Sequence, residues 1–317
     1  MGSNRLVDNG SPGYRPSLLL MIFSNHQQIT LSFYASMLTL LRLFFYVDDI
    51  IVTGNSITEI QTITALLDQT FKIKDLGNLK FFLGLEIARS ARGIHLCQRK
   101  CVLDIIADSG MLGCRPASTL VDYSTRLQAS SGTPLSGVSS SSYRCLVGRL
   151  IYLTNTCPDI AFAVQQLISS GLFFAAHGTP QLHAFSDSDW ARCRDTRRSI
   201  TGFSVYFGSS LISWPSKKQS TISRSSSEAE YWALASTTCE LQWLTFLLQD
   251  FRVSFIQPAT LYCDNQSTIQ IASNPVFHER TKHIEIDCHI VRHKVNAGLI
   301  KLLPISSSMR LDKKIKN

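Results

Sequence analysis

No apolar run in this 317-residue chain is long enough to cross a bilayer. The longest, Leu18 to Phe23 and Leu38 to Tyr46, are too short or too broken to span one. The chain also opens without a basic segment leading into an apolar one, so no secretory leader is expected. Cysteine pairs of the CxxC kind are missing. Cys97, Cys101, Cys114, Cys145, Cys157, Cys193, Cys239, Cys263 and Cys288 are odd in number and lack dense ligand spacing. That pattern argues against a disulfide framework and against a cysteine zinc site. The thiols read as reduced core residues of an intracellular protein, cytoplasmic or nuclear rather than secreted. Charge is sparse at 17%, yet a hydrophobic share of 44% is too high for general disorder. No internal repeat is visible.

Acidic residues are the scarcer sign of charge, 23 against 31 basic, for a net +8. Residues 180–317 hold seventeen basic and twelve acidic side chains. A polyanionic partner and simple solubility explain this equally well. His283, Cys288, His289 and His293 lie close in sequence, but an amphipathic helix with Ile284, Ile286 and Ile290 explains their spacing more simply than zinc.

The length suits two modest domains. Residues 1–43 show neither steady periodicity nor well-placed turns and are left unassigned, as a degenerate segment. Leu43 to Tyr46 and Ile50 to Thr53 read as strands around an acidic turn. Ser56 and Glu59 form a capping box that opens a helix to about Phe71. Strands are expected at Phe81 to Ala88 and Ile94 to Gln98, and a helix at Lys100 to Ser109. Residues 116–142, rich in serine, proline and glycine, read as a linker or long loop. Helical patterns follow at Tyr143 to Leu153 and Asp159 to Ile168.

From about residue 180 the pattern becomes α/β. Leu182 to Phe185, Gly202 to Phe207 and Leu211 to Trp214 read as three antiparallel strands. Ser225 to Ser227 then cap a long helix, Ala259 to Cys263 forms a fourth strand, and two helices lead to a last strand at Leu299 to Leu303. The order is β-β-β-α-β-α-α-β. It puts Asp187 and Asp264 at strand ends and Glu230 one turn into the helix. Three converging carboxylates are too much negative charge without divalent cations, and hard oxygen donors suit Mg²⁺ or Mn²⁺. Two such ions can drive in-line attack of water on a phosphodiester. Acids at helix starts and strand ends are also common for purely structural reasons.

The local sequences around these acids go further. Ala184-Phe-Ser-Asp-Ser-Asp-Trp-Ala191, Ser225-Ser-Ser-Glu-Ala-Glu-Tyr-Trp-Ala-Leu234, Tyr262-Cys-Asp-Asn265 and Asn274-Pro-Val-Phe-His-Glu-Arg-Thr-Lys-His-Ile284 resemble the ribonuclease H domain of copia-type retrotransposon Pol polyproteins. Tyr46-Val-Asp-Asp-Ile-Ile-Val-Thr-Gly54 and the block from Phe71 to Ile87 resemble the reverse transcriptase of the same elements, with Asp48 and Asp49 in its acidic hairpin. Tyr143 to Leu153 and Cys157 to Val164 resemble the connecting region. The resemblance implies a reverse-transcriptase palm and thumb remnant over 44–115, of α+β type, and a linker and shortened connection over 116–179. For 180–317 it implies a ribonuclease H-like mixed five-stranded sheet with flanking helices.

What the resemblance implies for chemistry is metal-dependent hydrolysis of the RNA strand of RNA:DNA hybrids by Asp187, Glu230 and Asp264. Glu228 is the competing glutamate, read as an exposed first-turn acid, and Asp189 is a neighbour. Lys217, Lys218, Arg280 and Lys282 are candidate nucleic-acid contacts and Trp214 a stacking surface, with a plain solvated face as the equal alternative. Three departures from the family pattern stand out. The third polymerase carboxylate is missing, so no polymerase activity is expected. The connection is cut short between Gln166 and Gly171. At the C-terminus only Asp312 stands near where the family's fourth metal-binding aspartate is expected. The alternative function is therefore a catalytically decayed remnant that at most binds nucleic acid.

Overall fold

The computed structural model describes residues 4–9, 30–35, 40–46, 49–114, 135–157, 172–274 and 284–305. They divide into two compact units, Met1–Cys97 with Phe173–His177, and Gln98–Leu172 with Gly178–Asn317.

In the first unit, β1 (Asn4–Asn9), β2 (Thr30–Ala35), β3 (Leu40–Tyr46), β4 (Asp49–Gly54) and β5 (Lys74–Asn78) form a sheet in the order β2-β3-β4-β1-β5. β3 and β4 are antiparallel with Tyr46 level with Asp49, which is the expected hairpin around the acidic turn. β1 and β2 come from the segment whose sequence shows no periodicity. β1 runs parallel to β4, and β2 lies antiparallel to β3.

Helix α1 (Ile57–Phe71) begins at the expected cap, where Ser56 Oγ accepts the Glu59 backbone N–H at 3.4 Å. It ends at Lys72 in the left-handed region, whose N–H donates to the Asp68 carbonyl. Its inner face brings Ile60 against Leu41, Leu43, Ile50, Val52 and Ile73. Full burial of each such side chain stabilises the unit by about 1.5–3 kcal/mol.

A second sheet of this unit runs β6 (Phe81–Phe82), β7 (Leu85–Ser90), β8 (Gly93–Cys97) and β9 (Leu172–Ala175). The single strand expected over Phe81 to Ala88 is in fact a hairpin, with Phe82 level with Leu85. Leu83 (φ 49°) and Gly84 (φ 72°) both sit in the left-handed region and form its two-residue turn.

In the second unit, α2 (Arg99–Asp108) and α3 (Gly137–Leu153) pack through Val102, Ile105, Leu153 and Cys157. Arg149 pairs with Asp108 at 2.6 Å. The serine run Ser139 to Ser142, expected in a linker, lies inside α3. Serines are poor but tolerated helix residues, and the apolar stripe that follows them carries the helix. The linker over 116–134 and the helix expected at Asp159 to Ile168 fall outside the described residues.

The main sheet holds β10 (Gln181–Asp189), β11 (Ile200–Phe207), β12 (Ser210–Ser213), β13 (Ser216–Lys218), β14 (Ile256–Cys263) and β15 (Ile300–Pro304). Its order is β12-β11-β10-β14-β15, with short β13 alongside β11. The first three strands are antiparallel, whereas β10, β14 and β15 run parallel. This is the ribonuclease H-like mixed sheet that the sequence leads one to expect, with β13 added. β10 continues four residues beyond the expected Phe185, so Asp187 lies within the strand rather than at its end.

Helices α4 (Ser226–Asp250), α5 (Gln266–Ser273) and α6 (Glu285–Asn296) flank this sheet. α4 buries Ala229, Ala233, Leu234, Leu241, Leu244 and Leu248. β10 alternates strictly, with Leu182, Ala184, Ser186 and Ser188 buried and His183, Phe185 and Asp187 only half-buried. Gln219 identifies the buried face as the helix side, because its amide N–H groups reach Ser188 Oγ, Thr201 Oγ1 and the Ala229 carbonyl of α4. On α6 the buried positions are Cys288 and Val291, and Ile286 is exposed rather than part of the apolar face.

Candidate metal centre and nucleic-acid face

Glu230 is delivered by the start of α4. Ser225 Oγ accepts the Glu228 N–H at 3.2 Å, while the Glu228 carboxylate accepts the Arg224 N–H at 2.6 Å. The pair resembles a capping box, with the carboxylate reaching the N–H of the residue just before the cap. Glu228 is therefore buried, at 6% exposure, rather than the exposed acid expected, and its carboxylate fixes the helix entry. Glu230, two residues on, is also buried.

Asp264 follows β14 and is exposed. The next residue, Asn265, caps α5 by accepting the Thr268 N–H at 3.0 Å, which turns the chain away immediately after the acid. Thr268 Oγ1 in turn donates to the Ser227 carbonyl at 3.2 Å and ties α5 to the start of α4. The two acids are thus held by mutually bonded helix starts.

Ligating atoms of Glu230, Cys263 and Asp264 all lie within 4.8 Å of one another. The sequence singles out the two carboxylates but not the thiol. Burial pushes the Cys263 thiol up to about 12, and the neighbouring Glu230 and Asp264 charges push the same way. Cys263 is therefore a neutral neighbour of the two acids.

Asp187 stands outside this group. Ser186 is level with Cys263 across the parallel pair, so Asp187 is next to Asp264 along the strand edge. Of the three expected carboxylates, the structure brings two together and sets the third on the adjoining strand.

The other expected site residues are dispersed. Asp189 pairs with Arg192 at 3.0 Å, a surface ion pair. Asp49 is half-buried at the start of β4, while Asp48 lies outside the described residues, as do Arg280, Lys282, His283 and Asp312. Lys217 and Lys218 are exposed on β13. Trp214 is no open stacking surface, because its indole N–H donates to the Thr154 carbonyl at 2.9 Å and the ring is half-buried. Sequence reasoning passed over Trp190, 51% exposed, with its indole N–H bound to the Ser223 carbonyl at 3.2 Å. Its place beside the acidic block was the available signal. All nine cysteines are free, and no described helix is long and apolar enough to cross a membrane.

A mixed sheet of this order, with paired acids at one edge and an acidic hairpin in the other unit, defines a ribonuclease H-like module joined to a reverse-transcriptase-like one. Residues 21–122 match the reverse transcriptase (RNA-dependent DNA polymerase) family, a match that begins upstream of Phe44. The chain is 37% identical over 298 residues to the retrovirus-related Pol polyprotein from transposon RE1 of Arabidopsis thaliana, covering 86% of this chain and 20% of that protein. It is 31% identical to the counterpart from transposon TNT 1-94 of Nicotiana tabacum, over 84% of this chain and 22% of that one. An uncharacterized mitochondrial protein of Arabidopsis thaliana is 39% identical over 226 residues, 63% of this chain and 93% of that protein. The chain belongs to the copia-type retrotransposon Pol polyproteins, and it spans about a fifth of the length of the transposon relatives it matches.

Among solved structures, LC11 ribonuclease H1 isolated from compost is similar at a TM-score of 0.33 and 13% identity, over 43% of this chain and 93% of that one. A foamy viral protease-reverse transcriptase in complex with dsDNA is similar at 0.32 and 13%, over 91% and 57%.

Proposed function

We propose that the second unit hydrolyses the RNA strand of RNA:DNA hybrids with the help of Mg²⁺ or Mn²⁺. The observation that carries this reading is the close approach of Glu230 and Asp264 at one edge of the main sheet. Two carboxylates this close, one of them buried, call for a compensating cation. The donor set fits a hard divalent ion, since its charged ligands are oxygens and the adjacent thiol stays protonated. Glu230 and Asp264 are the residues to hold it, and Asp187 is the third oxygen donor on the edge. A bound ion of this kind supplies an activated water and charge stabilisation at the phosphorus. The chain's own part is to fix the two acids through the Ser225 and Asn265 caps.

An RNA:DNA hybrid is held chiefly through phosphates and 2′-hydroxyls, and Lys217, Lys218, Arg280 and Lys282 are the proposed phosphate contacts. Asp48 and Asp49 are proposed as metal-binding acids inherited from the polymerase hairpin of the family. The activity is tested with a hybrid labelled on its RNA strand, incubated with Mg²⁺ or Mn²⁺. Metal-dependent cleavage that disappears in Asp264→Asn supports the proposal, and cleavage that survives this change refutes it.

A second reading is favoured by the position of Asp187 off the Glu230–Asp264 group. It is a decayed product of the element that binds nucleic acid without turnover. Salt-sensitive binding of the hybrid with no cleavage supports that reading.

A further inference from the structure

The loop joining β10 to β11 carries a concentration of cations that the site described above does not use. Arg192, Arg194, Arg197 and Arg198 fall within seven residues, and only Asp189 and Asp195 oppose them locally. Arg192, Arg194 and Arg197 are exposed. The loop is nonetheless tightly built. Cys193 donates its N–H to the Arg198 carbonyl at 3.0 Å, and its own carbonyl accepts the Arg197 N–H at 2.6 Å. Ala191 N–H donates to Ser199 Oγ at 3.0 Å, and that hydroxyl shares a buried hydrogen bond of 2.7 Å with Ser223 Oγ. Ala191 and Arg197 both hold the left-handed backbone region at φ 50° and 52°, a conformation that side-chain-bearing residues keep only when their surroundings enforce it.

Short strand β13 extends this surface. Lys218 is level with Ile200 and Lys217 with Thr201 on β11. Lys218 Nζ reaches Cys193 Sγ at 3.5 Å, so β13 and the loop meet. Trp190 begins the same loop. Its indole N–H is tied to the Ser223 carbonyl while half of the residue stays open to solvent. An indole with a fixed edge and an open face is suited to stack on a sugar or base.

The patch is aligned with the acidic edge. Asp187 is level with Gly202, and Gly202 with Ser216, the residue before Lys217. Two strand spacings of about 4.8 Å place β13 roughly 10 Å from the Asp187 strand. A phosphate backbone lying over the acids therefore passes the cations within a few nucleotides.

We propose that Trp190, Arg194, Arg197 and Arg198, with Lys217 and Lys218, form a grip for the backbone of the nucleic acid engaged at the acidic edge. This rests on the reading of the second unit as hybrid-binding. The grip is indifferent to base sequence, because its partners are phosphates and a stacked ring.

The test is fluorescence anisotropy of a labelled RNA:DNA hybrid with the full chain in EDTA, from 50 to 200 mM salt. Combined Arg194→Ala, Arg198→Ala and Lys217→Ala is expected to weaken binding at least tenfold at the lower salt. The slope of log K against log salt should fall by about 0.7–0.9 for each phosphate that is no longer neutralised. Trp190→Ala should weaken binding without changing the slope, and Trp190→Phe should restore most of the affinity. Thermal melting of each variant confirms folding.

Unchanged affinity and slope in the triple variant overturn the grip, as does a wild-type chain that does not bind the hybrid. Cleavage assayed separately keeps the two readings apart. Cleavage with unchanged slopes leaves hydrolysis standing and removes the grip. Binding that depends on the loop, without any cleavage, keeps the grip and removes hydrolysis.

Discussion

Ser186 of β10 and Cys263 of β14 face each other across a parallel strand pair, and in each strand the next residue is an aspartate. That register makes Asp187 and Asp264 neighbours at one sheet edge. Glu230, from the start of α4, meets Asp264 at that edge, with ligating atoms of the two within 4.8 Å.

Gln219 joins three elements through one amide, bonding Ser188, Thr201 and the Ala229 carbonyl. Its replacement by leucine strands buried polar groups on both strands and at the start of α4. Gln219→Leu is expected to lower stability by about 1–3 kcal/mol. Urea denaturation followed by tryptophan fluorescence reads this directly, and an unchanged midpoint contradicts the bridging role.

Gly93 admits no side chain, because a Cβ there runs into the backbone carbonyl of Phe174 on the neighbouring strand. The obstacle is main chain and has no rotamer to yield. Gly93→Ala should destabilise the first unit by about 1–3 kcal/mol, in the range of overpacked cores. Hydrogen exchange of the β8 amides provides the measurement, and protection equal to wild type counts against the close approach.

Cys193 sits in the cationic loop with hydrogen bonds from Thr196 and with Lys218 Nζ at 3.5 Å, and together these lower its thiol to about 7. A depressed thiol pKa means that the thiolate accumulates as pH rises through that value. Peptide-resolved alkylation should show Cys193 reacting with a midpoint near pH 7, and Lys218→Met or Thr196→Ala should move the midpoint upward. A midpoint in the ordinary thiol range contradicts the loop geometry.

Much of this fold could be read from local chemistry. Ser56 with Glu59 and the hydroxyls of Ser225 to Ser227 announce their helices, and caps form at Ser56 and Ser225. The acidic hairpin between Tyr46 and Asp49 and the succession of strands and helices in the second unit follow from apolar runs and turn residues. What escaped the sequence depends on long-range context. Leu83 gives no sign that it adopts a left-handed turn, and β1 and β2 have their places only because neighbouring strands offer hydrogen bonds. Glu228 looked like a solvent-facing acid because a capping carboxylate and an exposed one share the same sequence position. Cys263 was counted as core, and its approach to the acids depends on how α4 sits over β14. Asp187 is the instructive case. Its neighbour relation to Asp264 was legible, but β10 extends past Phe185 and takes Asp187 inside the strand rather than leaving it at the end.

The two glutamates of the Ser225 block decide between a metal-holding edge and a merely structural one. The measurement is the cleavage rate of the RNA strand in a labelled RNA:DNA hybrid with Mg²⁺, compared for wild type, Glu228→Gln and Glu230→Gln at a temperature where all three are folded. Glu228→Gln keeps a capping group and should cleave close to the wild-type rate. Glu230→Gln should lose more than the roughly 10–100-fold that removal of an outer partner of a metal ligand costs. Equal rates for Glu230→Gln and wild type, or loss confined to Glu228→Gln, contradict the assignment of Glu230 and Asp264 as the metal-holding pair.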